Sequence, residues 1–179
     1  VFREHVTVHR SNKPGETTRM GSNNFLMQHS HVGHNAVVGN HVILASSVML
    51  AGHVEVGDHA FLSGNCLVHQ FVRVGTLAMM QGGAAISKDL PPFTMARGDN
   101  EICGLNIVGL RRAGFPSEQR LELKRLYRVL FRDRHNFGQA LALARAQFAG
   151  EAAQVLLAFV ADAKRGLCTD VGRRGRSDP

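Results

Sequence analysis

The sequence predicts a parallel β-helix followed by a small α-helical domain, and three observations carry that expectation. First, an aliphatic residue recurs at every sixth position through Met20, Leu26, Val32, Val38, Leu44, Leu50, Val56, Leu62, Val68, Val74, Met80 and Ile86. Second, the next place in each unit is usually small (Gly33, Gly39, Ala45, Ala51, Gly57, Ser63, Gly75), and the fifth is small or aliphatic (Ala36, Val42, Val48, Val54, Ala60, Cys66, Val72). A short strand of this kind cannot bury its apolar side alone and has to stack on copies of itself. Third, the period changes after Pro116 to a helical spacing.

The elements follow in chain order. Phe2 and Val8 continue the six-residue spacing backwards to an interruption at SNKPGETTR, so residues 11–19 read as a loop insert within a repeat domain spanning 1–97. No capped end is visible at Val1, and upstream coils are expected to be missing from this chain. The repeat stops at ISKDLPPF, where Pro91 and Pro92 cannot donate to a strand ladder. Residues 98–115 read as a connection. Residues 116–170 read as about three helices: one with Leu121, Leu123, Leu126, Val129 and Leu130 on its stripe and Ser117 as N-cap, one through Ala140 to Ala144, and one through Val155, Leu156 and Phe159. Residues 171–179 read as a disordered basic tail.

Composition narrows the class. Apolar residues make up 44% of the 179, which argues for a folded chain. No stretch approaches the ~20 apolar residues of a membrane span, and the start lacks a signal-peptide pattern, so a soluble, cytoplasmic protein without stable membrane insertion is expected. Cys66, Cys103 and Cys168 are odd in number and scattered, which argues against disulfides and a cysteine-rich metal site. The net charge of +7 is concentrated from Arg111 onward and is not interleaved with stacking aromatics. It points to an acidic partner, a phosphorylated substrate or an acidic carrier protein, rather than to nucleic acid.

With three sides of six residues per coil, positions 18 apart stack at the ~4.8 Å strand spacing. His34, His53 and His69 then fall on the same side of three successive coils, with Gly52 directly over His34. His31 sits just before His34, and Gln70 follows His69. A neutral imidazole can take a proton from a hydroxyl near pH 7, and a neighbouring glycine leaves a backbone N–H approachable by an oxyanion. The bland alternative is a set of solvated surface histidines, as for His41 and His59, which also stack 18 apart. A three-histidine zinc site is the other alternative.

The segments FLMQHSHVGHNAVVGNHVILASSVMLAGHVEVGD, LVHQFVRVG and GLNIVGLRRAGF resemble the UDP-N-acetylglucosamine acyltransferases of lipid A biosynthesis. The repeat and KDLPPF are widespread among acyltransferases; the combination of HxxH, AGH, VHQF and the GLN segment is specific. The resemblance implies a left-handed β-helix, an exception to the usual crossover hand, assembled as a homotrimer with sites between subunits. It implies transfer of a 3-hydroxyacyl chain from acyl carrier protein to the 3-hydroxyl of UDP-N-acetylglucosamine, with no cofactor and no metal. Residue by residue, it makes His34 the general base and the Gly52 N–H the oxyanion donor. His31, His53, His69, Gln70, Asn106 and Arg112 match substrate-contacting positions, and Gly82 matches one that limits acyl length. Asn35 stands where the family commonly has Asp beside the base, Val108 where it often has Glu, and Ala113 where it has a second Arg. Alternatives are a sister sugar N-acyl- or acetyltransferase and a non-catalytic, truncated β-helix scaffold.

Overall fold

The computed structural model describes residues 1–133 and 135–170; the expected basic tail lies outside them. The hexapeptide register builds a three-faced parallel solenoid whose strands are two residues each. The first face stacks Thr7–Val8, His31–Val32, Met49–Leu50, Leu67–Val68 and Ala85–Ile86. The second stacks Arg19–Met20, Val37–Val38, Glu55–Val56 and Arg73–Val74. The third stacks Phe25–Leu26, Ile43–Leu44, Phe61–Leu62 and Met79–Met80. Pairing runs 18 residues on, as in His31↔Met49 and Val37↔Glu55. At the insert the step is longer: Thr7 pairs with His31, so the coil absorbs the loop without losing register.

The core is the aliphatic ladder itself. Leu26, Leu44, Leu62 and Met80 are fully buried from one face and Val32 and Leu50 from another, while Ala36, Val42, Val48, Val54, Cys66 and Val72 fill the corners. Where polar residues occupy the inward corner place they are satisfied. The Asn24 amide donates to the Gly21 and Gly39 carbonyls and accepts from the Val42 N–H, and the Ser30 hydroxyl donates to the Met27 carbonyl.

Each corner carries a residue in the left-handed region at the fourth place of its unit: Asn23, His29, Asn35, His41, Ser47, His53, His59, Asn65, Phe71 and Leu77, each with φ between 52° and 66°. Asn and His tolerate that conformation better than most side chains. The rule accounts for much of the histidine content, since His5, His29, His41, His53 and His59 all stand there. The imidazoles of His41 and His59 stack at 4.7 Å and 3°.

Beyond the repeat, residues 98–115 are more than a connection. Thr94–Arg97 and Glu101–Leu105 form an antiparallel hairpin that extends the third face, and helix α1 follows at Ile107–Arg112. Helices α2 (Ser117–Phe131), α3 (Phe137–Gln147) and α4 (Glu151–Ala161) pack on one another, and Thr169–Asp170 adds a strand beside Glu101–Leu105. Ser117 is the first helical residue rather than the cap. Pro116 holds the cap place, where its fixed φ leads into the helix without a side-chain hydrogen bond. The helices dock through Arg73, which bonds the buried Asp89 at 2.9 Å, reaches Asp162 at 3.1 Å and covers the Phe159 ring at 4.4 Å. Among the described residues no helix is long and apolar enough to cross a membrane.

Candidate active site

The corner after the first face gathers the histidines. His34 is half-buried, and its ring meets that of His53 edge-on at 5.2 Å. His53 in turn stacks on the exposed ring of Phe71 at 4.7 Å, as expected for corner residues one coil apart. Gly52 lies against His34: a Cβ there would stand 2.5 Å from Cε1 and 2.6 Å from Nε2 of the imidazole. Only glycine leaves room for this ring. The Gly52 N–H has no intramolecular hydrogen bond among the described residues, and a Cβ on Gly33 would come within 2.7 Å of that nitrogen, so the bare Gly33 keeps it open.

Asn35 fixes the His34 ring. Its Oδ1 lies 2.9 Å from His34 Nδ1, and an amide oxygen only accepts, so Nδ1 carries the proton and Nε2 presents the lone pair. Asn35 is itself buried beneath the insert, which supplies Thr18 Oγ1 to its N–H and Ser11 and Glu16 to its Nδ2.

His31 and His69 line a groove of about 680 Å³ along the first face, with Met49, Leu67, Ser87 and Asn100. Met49 and Leu67 turn outward and are exposed, giving the groove an apolar floor. His31 Nδ1 is 2.7 Å from the Thr7 hydroxyl. Burial, with His9 close by, pushes its pKa down, so it stays neutral to lower pH than a free imidazole. His69 is exposed, with Arg165 of the C-terminal region 3.4 Å from its Nδ1 and the Gln70 carbonyl at 3.2 Å. His9, unflagged by the stacking arithmetic because the insert shifts its register, meets the His31 ring edge-on at 4.6 Å.

The other sequence candidates lie elsewhere. Gly82 is exposed at the opposite edge of the first face, stacked over Gly64. Asn106 is buried and engaged within the fold: Oδ1 accepts from the Gly109 N–H as the cap of α1, and Nδ2 donates to the Leu77 carbonyl. Arg112 is exposed in the last turn of α1, on which Val108 is also exposed, and Ala113 is its C-terminal cap. One chain therefore joins His34, Asn35, Gly52 and His53 at one corner and His31 and His69 in the adjoining groove, but leaves Gly82, Asn106 and Arg112 apart. Among the described residues no three His, Cys, Asp or Glu side chains are grouped as a metal ion would need.

Comparison with known proteins bears on the whole chain. Residues 89–168 match the family model for domain 2 of UDP-N-acetylglucosamine O-acyltransferase, and residues 17–52 match the bacterial transferase hexapeptide model. The solved UDP-N-acetylglucosamine acyltransferase of Campylobacter jejuni superposes with a TM-score of 0.89 at 35% identity, over 94% of this chain and 67% of that one. The chain belongs to the UDP-N-acetylglucosamine O-acyltransferase family. Relatives named acyl-[acyl-carrier-protein]–UDP-N-acetylglucosamine O-acyltransferase include one from Syntrophobacter fumaroxidans, 44% identical over 171 residues (93% of this chain, 66% of the relative). Another, from Synechocystis sp., is 40% identical over 141 residues (78% of this chain, 51% of the relative). The chain thus spans about half to two thirds of the length of these family members.

Proposed function

We propose that this chain carries the catalytic corner of an acyl carrier protein-dependent O-acyltransferase, which moves a 3-hydroxyacyl group onto the 3-hydroxyl of UDP-N-acetylglucosamine in lipid A biosynthesis. The observation that carries this is the His34 imidazole held through Nδ1 by Asn35, with Nε2 facing the ungated Gly52 backbone. Nε2 removes the sugar hydroxyl proton as that oxygen attacks the thioester carbonyl carbon. The tetrahedral oxyanion is met by the Gly52 N–H; collapse reforms the carbonyl, expels the pantetheine sulfur, and returns the proton from the His34 imidazolium to the thiol. The reaction as written draws on no cofactor of the enzyme and no metal.

The apolar floor of Met49 and Leu67 suits an acyl chain, with His31 and His69 offering polar contacts along it. Gly82 and the exposed Arg112 lie apart from His34 within one chain, so this reading needs a neighbouring copy to bring them to the site, which is why we place the work in a homotrimer; Asn106, buried as the cap of α1, would shape that region from within. Basic side chains on the helices suit an acidic carrier protein. Both substrates are soluble, and we place the reaction in the cytoplasm.

The test is His34→Ala, assayed for transfer from 3-hydroxyacyl carrier protein beside the parent chain. Loss of kcat by at least ~10²-fold with an unchanged fold is expected. Full activity in that variant would remove His34 as the base.

A further inference from the structure

Asn35 stands beside the base in a place where a carboxylate would stabilise the imidazolium by charge, which an amide cannot do. The insert supplies what the amide lacks. The geometry points to Glu16 as the group that sets the tautomer and the basicity of His34, acting through Asn35. This inference rests on His34 being the proton acceptor.

The Glu16 Oε2 lies 2.5 Å from Asn35 Nδ2, and the second hydrogen of that amide goes to Ser11 Oγ at 2.8 Å. A carboxylate is an acceptor only, so Nδ2 must face it and Oδ1 must face His34. The Asn12 N–H, 3.3 Å from Oδ1, demands the same orientation. Without these partners the amide could turn over. Nδ2 would then donate to His34 Nδ1 and drive the proton to Nε2, leaving no lone pair toward the substrate. A wrong tautomer is the damage done when the buried Asp of a serine-protease triad becomes Asn; here the outer carboxylate guards against it. Glu16 also places a negative charge two hydrogen bonds from the imidazole, which favours the imidazolium as it forms. Lys13 Nζ is 3.6 Å from the other oxygen, Oε1, and holds the carboxylate to the loop. Glu16 is exposed on its outer side, so its effect is smaller than that of a buried carboxylate in direct contact.

The insert is therefore a positioning segment for the base: Ser11, Asn12, Glu16 and Thr18 all bond Asn35. A loop kept merely for its own stability would not need to converge on one buried amide next to the catalytic ring.

Glu16→Gln, read by kinetics, and Glu16→Lys, read by spectra, test this. Transfer kinetics should show kcat lowered by about tenfold or more with KM unchanged within twofold, inside the ~10²–10⁴ that a general base supplies. Imidazole ¹⁵N spectra of Glu16→Lys, whose ammonium can only donate to the Asn35 amide, with His34 assigned by its absence in His34→Ala, should show His34 moving from a single Nδ1–H tautomer to a mixture. In an Asn35→Asp background Glu16→Gln should leave kcat unchanged or raise it, because the glutamine amide donates to the new carboxylate where Glu16 repelled it. The spectra need no turnover, so an unaltered His34 tautomer in Glu16→Lys overturns the inference in any case. Equal losses in both backgrounds overturn it too, by reducing Glu16 to a loop brace. Full activity of His34→Ala would instead overturn the reading of the base itself.

Discussion

Replacing Gly52 with Ala places a methyl group where the His34 ring now sits. The added Cβ would stand 2.5 Å from Cε1 and 2.6 Å from Nε2, against the ~3.5–4.0 Å at which such atoms rest. The ring must retreat by about 1 Å, and the 2.9 Å bond from Nδ1 to Asn35 Oδ1 is lost in the move. A displacement of that size costs about 10²-fold in rate when the displaced group is catalytic. The stability cost is small because His34 is half-buried and can swing toward solvent. One hydrogen bond and one off-rotamer side chain amount to about 1–2 kcal/mol, a fall in Tm of a few degrees. Gly64, at the same place in its six-residue unit but on the corner between the third and first faces, is the control, since a Cβ there meets only the Ser46 carbonyl at 3.4 Å. Transfer kinetics and thermal unfolding of Gly52→Ala and Gly64→Ala therefore separate crowding of the His34 ring from generic damage to a corner. Gly52→Ala retaining full kcat, or both variants losing activity alike, would refute the reasoning.

Arg73→Ala strips the guanidinium from Asp89, whose side chain is 1% exposed. An abandoned buried carboxylate costs about 3–5 kcal/mol; a loss below about 1 kcal/mol in urea unfolding would show that the pair does not hold α4 to the solenoid. The Cys168 thiol, fully buried, is pushed by that burial from 9.0 up to about 12. A raised folded pKa means that the stability is fully present below pH 9 and declines as pH rises toward 12, by up to about 1.4 kcal/mol per pH unit. Cys168→Ala should flatten that part of the slope between pH 9 and 10.5 in denaturant titrations, and an identical slope in parent and variant would contradict the burial argument.

The core was legible almost residue by residue because a six-residue period allows no other burial pattern: Leu44, Val48, Leu50 and Val54 are inward in sequence and in space. The stacking of Gly52 on His34 was legible for the same reason. The histidine count was the misleading signal. His53 shares the left-handed conformation of His41 and His59 at the fourth place of its unit, so its residue type has a conformational cause besides any chemistry. Asn106 belongs to a motif whose sequence looks like a ligand contact, yet its amide caps α1 and holds Leu77. Such a cap is invisible until the chain between 98 and 115 is seen to fold into a hairpin and helix. His9 and Glu16 were hidden by the insert, which shifts register for the first and carries no period at all for the second.

The split between what repeats and what does not explains how the His34 corner is built. A stack of identical coils offers every corner the same backbone, and the sequence can vary only the side chain at each place. That suffices to put His34 beneath Gly52, because register alone brings them together. It cannot by itself choose which nitrogen of the ring is protonated, since the ladder neighbours stacked on the ring are a glycine and the edge of another imidazole. Tautomer choice needs an acceptor or donor of fixed polarity arriving from outside the ladder, and the interruption at residues 11–19 is where the chain can supply it. The coil lengthens there, Thr7 still pairs with His31, and the extra residues bring Glu16 and the Asn12 N–H onto the two ends of one amide. On the proposed reading, the solenoid sets the position of the His34 ring, while the loop sets its proton.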